Sequence, residues 1–476
     1  MQTSIIITIG TLRQNLFINS SPKLCRKLFY YDTLYSSFNN VGKHIMYFKI
    51  RNTLGPLLLI LSCPIFVMLM WYTNTELKGS LSTLWDLIVQ QGLFETTYKI
   101  WQPYFWGSAL AWKVIFAFII FELALMRLLP GKEFTGPVTP KGNVPIYKEN
   151  GPLAFITTMT TFCVASFGLH LFPASILYDN LGAILGALNV FSLIFCALLY
   201  IKGRYFPSST DSGITNNIIF DYYWGTELYP HIFGWSIKKF ITCRFGMMSW
   251  GLFLISYCAK QAELGDLANS MLISVALQFL YLSKFYLWEK GYLRSLDIMH
   301  DRAGFYICWG CLVWVPCIYT SPSMYLVLHP IHLSFWLATS ILVLGAASIL
   351  INYFADRQRL MTRATDGECK IWGKKPVTVF AQYQTTEGDK KQTILLASGW
   401  WGVARHFHYV PELAGTFFWS VPALFENFSP YFYLCFLTIL LVDRAFRDDR
   451  RCSDKYGQYW HKYCELVPYK IVPFVI

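Results

Sequence analysis

Arg359 and Arg363 stand four residues apart at the polar end of a long apolar run, with Asp356 and Arg357 beside them. On a helix, that spacing puts both guanidinium groups on one face. Two planar, permanently charged forks suit a phosphate-bearing ligand. The same pair is also what the cytosolic end of a membrane helix ordinarily carries. A second cluster, Gly399-Trp400-Trp401-Gly402-Val403-Ala404-Arg405-His406-Phe407-His408-Tyr409, sets one Arg and two His against an apolar run. A charge at membrane depth costs several kcal/mol unless it is partnered or faces water. This segment therefore reads either as an interfacial boundary or as one wall of a polar pocket. The third cluster follows the last apolar run: Asp443, Arg444, Arg447, Asp448, Asp449, Arg450, Arg451, Cys452, Lys455, Tyr456, Trp460 and Tyr463. Charges of mixed sign among aromatics point to a structured site, since a lipid anchor would be mostly of one sign.

Other chemistries lack their residues. His406 and His408 are two apart, but no neighbouring acid or Cys completes a metal ligand set. Cys308 and Cys311 form a C-x-x-C pair with no second pair, inside an apolar segment. No G-x-G-x-x-G follows a strand, and there is no P-loop, G-x-S-x-G or H-E-x-x-H. Any nucleotide is left to the basic and aromatic clusters.

The elements that must position these clusters are membrane helices. Of the 476 residues, 54% are hydrophobic and 14% charged, whereas soluble domains carry roughly 25% charged residues. Ten apolar runs are expected as spans: about 54–72, 109–130, 152–173, 181–201, 246–262, 269–288, 304–320, 332–353, 399–424 and 430–444. The fold class is all-α, polytopic. The basic residues concentrate in alternate loops, and the positive-inside rule puts those loops and both termini in the cytosol. That bias explains the formal charge of +12 without nucleic acid. Residues 376–396 alternate apolar and polar around Thr386-Glu387-Gly388-Asp389, which predicts a small hairpin between spans 8 and 9. Residues 1–53 form a basic, Ser-rich tail that could be a targeting segment or precede a start at Met46. Residues 54–476 form the membrane domain, its polar half from about 332. Gly182 and Gly186 make a G-x-x-x-G, expected as a close contact within the bundle, with a dimer contact as the alternative.

Four blocks carry a resemblance. The first is Leu128-Leu129-Pro130-Gly131 with Gly136-Pro137-Val138-Thr139-Pro140-Lys141-Gly142. The second runs from Glu289 through His300-Asp301 to Thr320. The third runs from Thr365-Asp366-Gly367 to Ala404-Arg405-His406-Phe407. The last holds Arg447-Asp448, Arg451-Cys452, Lys455-Tyr456-Gly457 and Trp460. Together they resemble the sterol reductase family over roughly residues 128–476. The Val-Thr-Pro and Ala-Arg-His-Phe forms look like its Δ7 branch.

The resemblance implies NADPH-dependent reduction of the C7–C8 double bond of a sterol in the endoplasmic reticulum membrane. The alternatives are a Δ14 or other sterol reductase, or a non-catalytic sterol-binding protein. By position, it implies NADPH contacts at Arg359, Arg363, Leu396, Trp401, His408, Tyr409, Asp448, Cys452, Ser453, Asp454, Lys455, Tyr456 and Tyr463. It implies Tyr281 and Asp448 as the proton-delivering pair, and as partners a sterol, membrane lipid and other enzymes of sterol biosynthesis. An isolated alkene resists bare hydride, so a proton must be added as hydride arrives. The chain departs from the family pattern at Lys284, Trp288, Phe245, Cys311, His408 and Tyr459, several of them on the sterol side.

Overall fold

The computed structural model describes residues 50–139, 141–384 and 390–475. Residues 1–49, 140, 385–389 and 476 lie outside them, so most of the expected tail and the middle of the expected hairpin are not part of this description. The described residues from 60 onward form one compact unit.

Among the described residues, eight helices are long and apolar enough to cross a membrane. In chain order the principal helices are α1 (Asn52–Thr75), α2 (Ala109–Leu128), α3 (Gly151–Gly168), α4 (Leu181–Tyr205), α5 (Met247–Glu263), α6 (Asn269–Leu287), α7 (Phe305–Leu326), α8 (Phe335–Ala364), α9 (Tyr409–Ser420), α10 (Ser429–Tyr456) and α11 (Gln458–Leu466). All but α5, α9 and α11 are of spanning length and composition.

Two of the ten expected spans differ. The run at 246–262 is α5, of 17 residues, entered through a π-helical turn at Phe240–Gly246. With that stretch and the turn Ile237–Lys239 before it, the helix is continuous from 237 to 263 and long enough to span; its composition, with Lys238, Lys239 and Arg244 at the start, and not its length, sets it apart from the eight apolar spans. The run at 399–424 is broken. A one-turn helix, Trp400–Val403, gives way to extended backbone at Ala404, and α9 begins only at Tyr409. The break has a cause. The N–H groups of Arg405 and His406 donate to the carbonyls of Tyr469 and Lys470 at 2.9 and 2.7 Å, so this stretch pairs with the C-terminal tail instead of its own helix. The last span is longer than its apolar run. It continues as helix to Tyr456 and carries the mixed charges with it.

The bundle interior is joined by hydrogen bonds between spans. Trp250 Nε1 donates to Gln278 Oε1 at 2.8 Å, and Gln278 Nε2 donates to Ser323 Oγ at 2.7 Å. Ser274 Oγ donates to the Trp419 carbonyl at 2.7 Å. In lipid each such group would otherwise be left unpaired. The G-x-x-x-G is an internal contact. A Cβ on Gly186 would lie 1.7 Å from the Tyr104 carbonyl oxygen, and one on Gly182 would lie 2.3 Å from the Trp71 ring.

Outside the spans, strands β1 (Lys132–Thr135) and β2 (Ile146–Glu149) pair antiparallel, with Phe134 opposite Tyr147. Strands β3 (Thr378–Gln384) and β4 (Lys390–Leu396) pair from Thr378 opposite Leu396 to Gln384 opposite Lys390. Their period of two turns Val379, Ala381 and Leu395 inward against Trp460, Tyr463 and Val467. The β1–β2 ladder ends at a buried ion cluster. Arg244 bonds the Glu289 carboxylate and, at 2.9 Å, Asn150 Oδ1. Burial raises the Glu289 carboxyl, but Arg244 and Lys239 outweigh it and hold the group below the usual carboxylate range.

Candidate active site

The polar end of α8 supplies the first wall. Arg359 and Arg363 do lie on this helix beyond its apolar run. Arg359 sits 4.3 Å from the centroid of the Trp401 ring. The indole is fixed from its other side, since its Nε1 donates to the Ala355 carbonyl at 2.7 Å. Leu396 packs with Trp401 and Ile371 in a small buried cluster, which ties β4 to the same wall. Arg363 Nε donates to the Ile394 carbonyl at 3.3 Å, and Arg359, Tyr456, Cys452 and Tyr463 surround it.

The non-helical stretch 404–408 supplies the second wall. The His408 ring lies 4.8 Å from Trp401 and 4.3 Å from Tyr409, and His406 stacks on Tyr409 at 5.3 Å with an interplanar angle of 9°. The sequence thus continues one aromatic stack from Arg359 through Trp401, His408 and Tyr409 to His406. Burial pulls His406 down to about 4, although Asp448 and Asp449 favour its charge. Its Nε2 and the Nδ1 of His408 are buried without a hydrogen-bond partner.

The end of α10 closes the site. Asp448 accepts from Arg451 Nη2 at 3.0 Å. Cys452 and Tyr463 are buried in the cluster beneath β3 and β4, and burial raises the Tyr463 phenol. Ser453 caps the helix with its carbonyl, which accepts from Gly457 N at 2.9 Å, and Asp454 is exposed. Lys455 Nζ lies 3.9 Å from the Tyr383 ring, and Tyr383 lies edge-on to Tyr456 at 5.7 Å.

Arg405 organises this end of the molecule. Its Nη1 donates to the Val467 and Pro468 carbonyls at 2.7 and 2.9 Å, and its Nε faces Asp449 at 3.3 Å. Asp449 also faces Lys470 at 3.1 Å. The Arg that looked like a pocket wall is the clamp that holds the tail under the pocket.

Tyr281 stands on α6 deeper in the bundle. Trp250 and Trp419 flank its ring at 5.7 and 5.4 Å. Its Oη donates to Glu412 Oε1 at 2.7 Å. The structure therefore gives Tyr281 a carboxylate partner, but on α9 and not at Asp448, whose hydrogen bond goes to Arg451. Glu412 had a readable signal: it is the single acid in the apolar run 399–424, and an ionisable group in such a run marks function by default. Lys284, one turn along α6, lies 5.5 Å from the Tyr281 ring and bonds Asn352 Oδ1. Asn352 Nδ2 donates in turn to the His408 carbonyl at 2.8 Å. A second pair outside the sequence reading joins α10 to the loop before α7, where Arg444 Nη2 meets Asp297 Oδ1 at 2.5 Å. Burial raises the Asp297 carboxyl against the pull of Arg444.

The donor set fits a dinucleotide phosphate. Arg359, Arg363, Arg451 and Lys455 supply positive charge, Trp401, Tyr409 and Tyr456 supply ring faces, and two buried imidazole nitrogens remain unpaired. Among the described residues, no group of three or more His, Cys, Asp or Glu could hold a metal ion.

Comparison with known proteins agrees with this architecture. The sequence pattern of the "Ergosterol biosynthesis ERG4/ERG24 family" matches residues 44–476, well beyond the 128–476 on which the resemblance was read. A 7-dehydrocholesterol reductase of Arabidopsis thaliana is 52% identical over 417 residues, covering 87% of this chain and 95% of the relative. A 7-dehydrocholesterol reductase of Xenopus laevis is 36% identical, covering 83% of each. A Delta(14)-sterol reductase of Methylotuvimicrobium alcaliphilum is 34% identical, covering 88% of this chain and 93% of the relative.

Proposed function

Because the chain belongs to the ERG4/ERG24 sterol reductase family, we propose that it reduces the C7–C8 double bond of a sterol with NADPH, in the endoplasmic reticulum membrane. The observation that carries this reading is the reach of one segment. Residues 401–409 present Trp401, His408 and Tyr409 to the basic cluster, and three residues on Glu412 meets Tyr281. One stretch of chain thus reaches from the aromatic and basic cluster to the carboxylate partner of the Tyr281 phenol, which supports reading the two as one site. The choice of Δ7 is supported by the 52% identity with the Arabidopsis 7-dehydrocholesterol reductase, against 34% with the bacterial Delta(14)-sterol reductase.

When bound, NADPH would supply hydride to the electron-poor carbon of the alkene. The arginines of α8 and Lys455 would hold its phosphates, and the Trp401–His408–Tyr409 stack would hold its rings. Tyr281 would deliver the proton that lets positive character develop on the accepting carbon. Trp250 and Trp419 flank its ring and would offer aromatic surface to that developing charge. The charge of Asp448 is felt at His406 and Tyr409, and the residue would act on the cofactor side.

The test is conversion. The chain is expressed in a sterol-free host, its membranes receive 7-dehydrocholesterol and NADPH, and products are identified by mass spectrometry. Cholesterol is the expected product. Turnover of a Δ14 sterol with 7-dehydrocholesterol untouched would replace the Δ7 assignment by the Δ14 one.

A further inference from the structure

We infer that Glu412 is the proton relay behind Tyr281. The inference rests on the proposed reduction and deepens it. Tyr281 cannot be the ultimate proton source, since each turnover consumes one proton and a buried phenol holds one. It must be reloaded. The rings of Trp250 and Trp419 cover two sides of its ring. The 2.7 Å contact to Glu412 is the one hydrogen bond that the Tyr281 hydroxyl makes among the described residues.

That contact works in both directions. With the carboxyl ionised, the phenol donates to it. With the carboxyl protonated, its O–H donates to Oη, and the phenolic proton is free for the alkene carbon. The steps balance. The Tyr281 O–H bond breaks and a C–H bond forms, while hydride from the NADPH-class donor forms the second C–H bond. The phenolate takes the Glu412 proton, and the carboxylate regains one from water. Per turnover, one proton leaves solvent and two electrons leave the cofactor.

Glu412 is placed for the solvent end of this path. It lies in the first turn of α9, next to the break in the helix, and is half-buried. On α6, Lys284 lies 5.5 Å from the centroid of the Tyr281 ring. Tyr319 on α7, and Tyr433 and Arg444 on α10, face the same space. From α8, Arg359 faces the His408–Tyr409 end. Through Asn352, Lys284 is also tied to the His408 backbone, which links α6 to the segment that precedes Glu412.

Glu412 acts through Tyr281 and is a positioning and relay residue, so its test needs more than lost activity. Glu412→Gln keeps the shape and a hydrogen bond to Oη but carries no transferable proton. The expected result is a fall in kcat of about 100-fold or more. NADPH affinity by fluorescence titration and sterol KM should stay near wild type, and Glu412→Asp should recover part of kcat. Glu412→Gln with wild-type kcat overturns the inference. So does loss of NADPH binding or of membrane insertion in Glu412→Gln with no recovery in Glu412→Asp, which would make Glu412 structural. Absence of sterol reduction by the wild-type chain is a separate result and sinks the functional reading itself.

Discussion

The guanidinium of Arg359 lies 4.3 Å from the centroid of the Trp401 ring, across 42 positions of sequence. A cation over an indole is held by the ring quadrupole, and Arg359 Nη2 also meets Asp356 Oδ1 at 3.4 Å, one turn back on the same helix. The contact brings together two residues that separately read as ordinary membrane-interface residues, in the place proposed for the cofactor phosphates.

Arg363 has its Nε on the Ile394 carbonyl, which leaves its terminal nitrogens for phosphate. Arg363→Ala should raise the NADPH concentration needed for half-maximal rate by about 10-fold or more, consistent with loss of one charge-assisted pair. The sterol requirement should change little. Equal loss for both substrates would make the arginine face structural.

Tyr281→Phe removes the phenolic proton and leaves the ring between Trp250 and Trp419. Turnover should fall by roughly 100-fold or more, with normal membrane insertion and NADPH binding. Asp448→Asn should also lower turnover, and it should disturb NADPH binding as well, since Asp448 bonds Arg451 beside the cofactor residues. Full activity in either variant removes that residue from the catalytic assignment.

Gly186→Ala should destabilise the bundle by about 2 kcal/mol or more, as overpacking against backbone does. The new Cβ would meet the Tyr104 carbonyl at 1.7 Å, and neither chain can give way easily. A lower unfolding temperature in detergent is the expected result. An unchanged temperature would show that this contact is loose.

His406 carries a pH signature. Burial holds it at about 4, against 6.5 for the free side chain. As pH falls below about 6.5 the unfolded chain takes up a proton that the folded chain refuses. Stability should therefore be full above about 6.5 and decline toward pH 4, by at most about 1.4 kcal/mol per unit. Unfolding temperatures of the solubilised protein at pH 7 and pH 5 test this, with His406→Gln expected to reduce the decline. An identical decline in that variant would assign it to other groups.

By itself, the sequence determined the membrane class, most of the spans, the basic faces and the aromatic-rich segments. These follow from composition and period, and a bilayer leaves a long apolar run little choice but helix. The placement of Arg359 and Arg363 on one helical end needed only their spacing. Partners were decided by the tertiary structure alone. Arg405 became a clamp on the tail because the carbonyls of Val467 and Pro468 fold beneath it. The backbone N–H groups of Arg405 and His406, paired with the Tyr469 and Lys470 carbonyls, broke the run at 399–424, which hydropathy reads as continuous because it counts side chains and not backbone partners. Tyr281 met Glu412, 131 positions away, because α6 and α9 pack together. A local pattern records which face of a helix is apolar, but not which residue of another helix comes to stand opposite it.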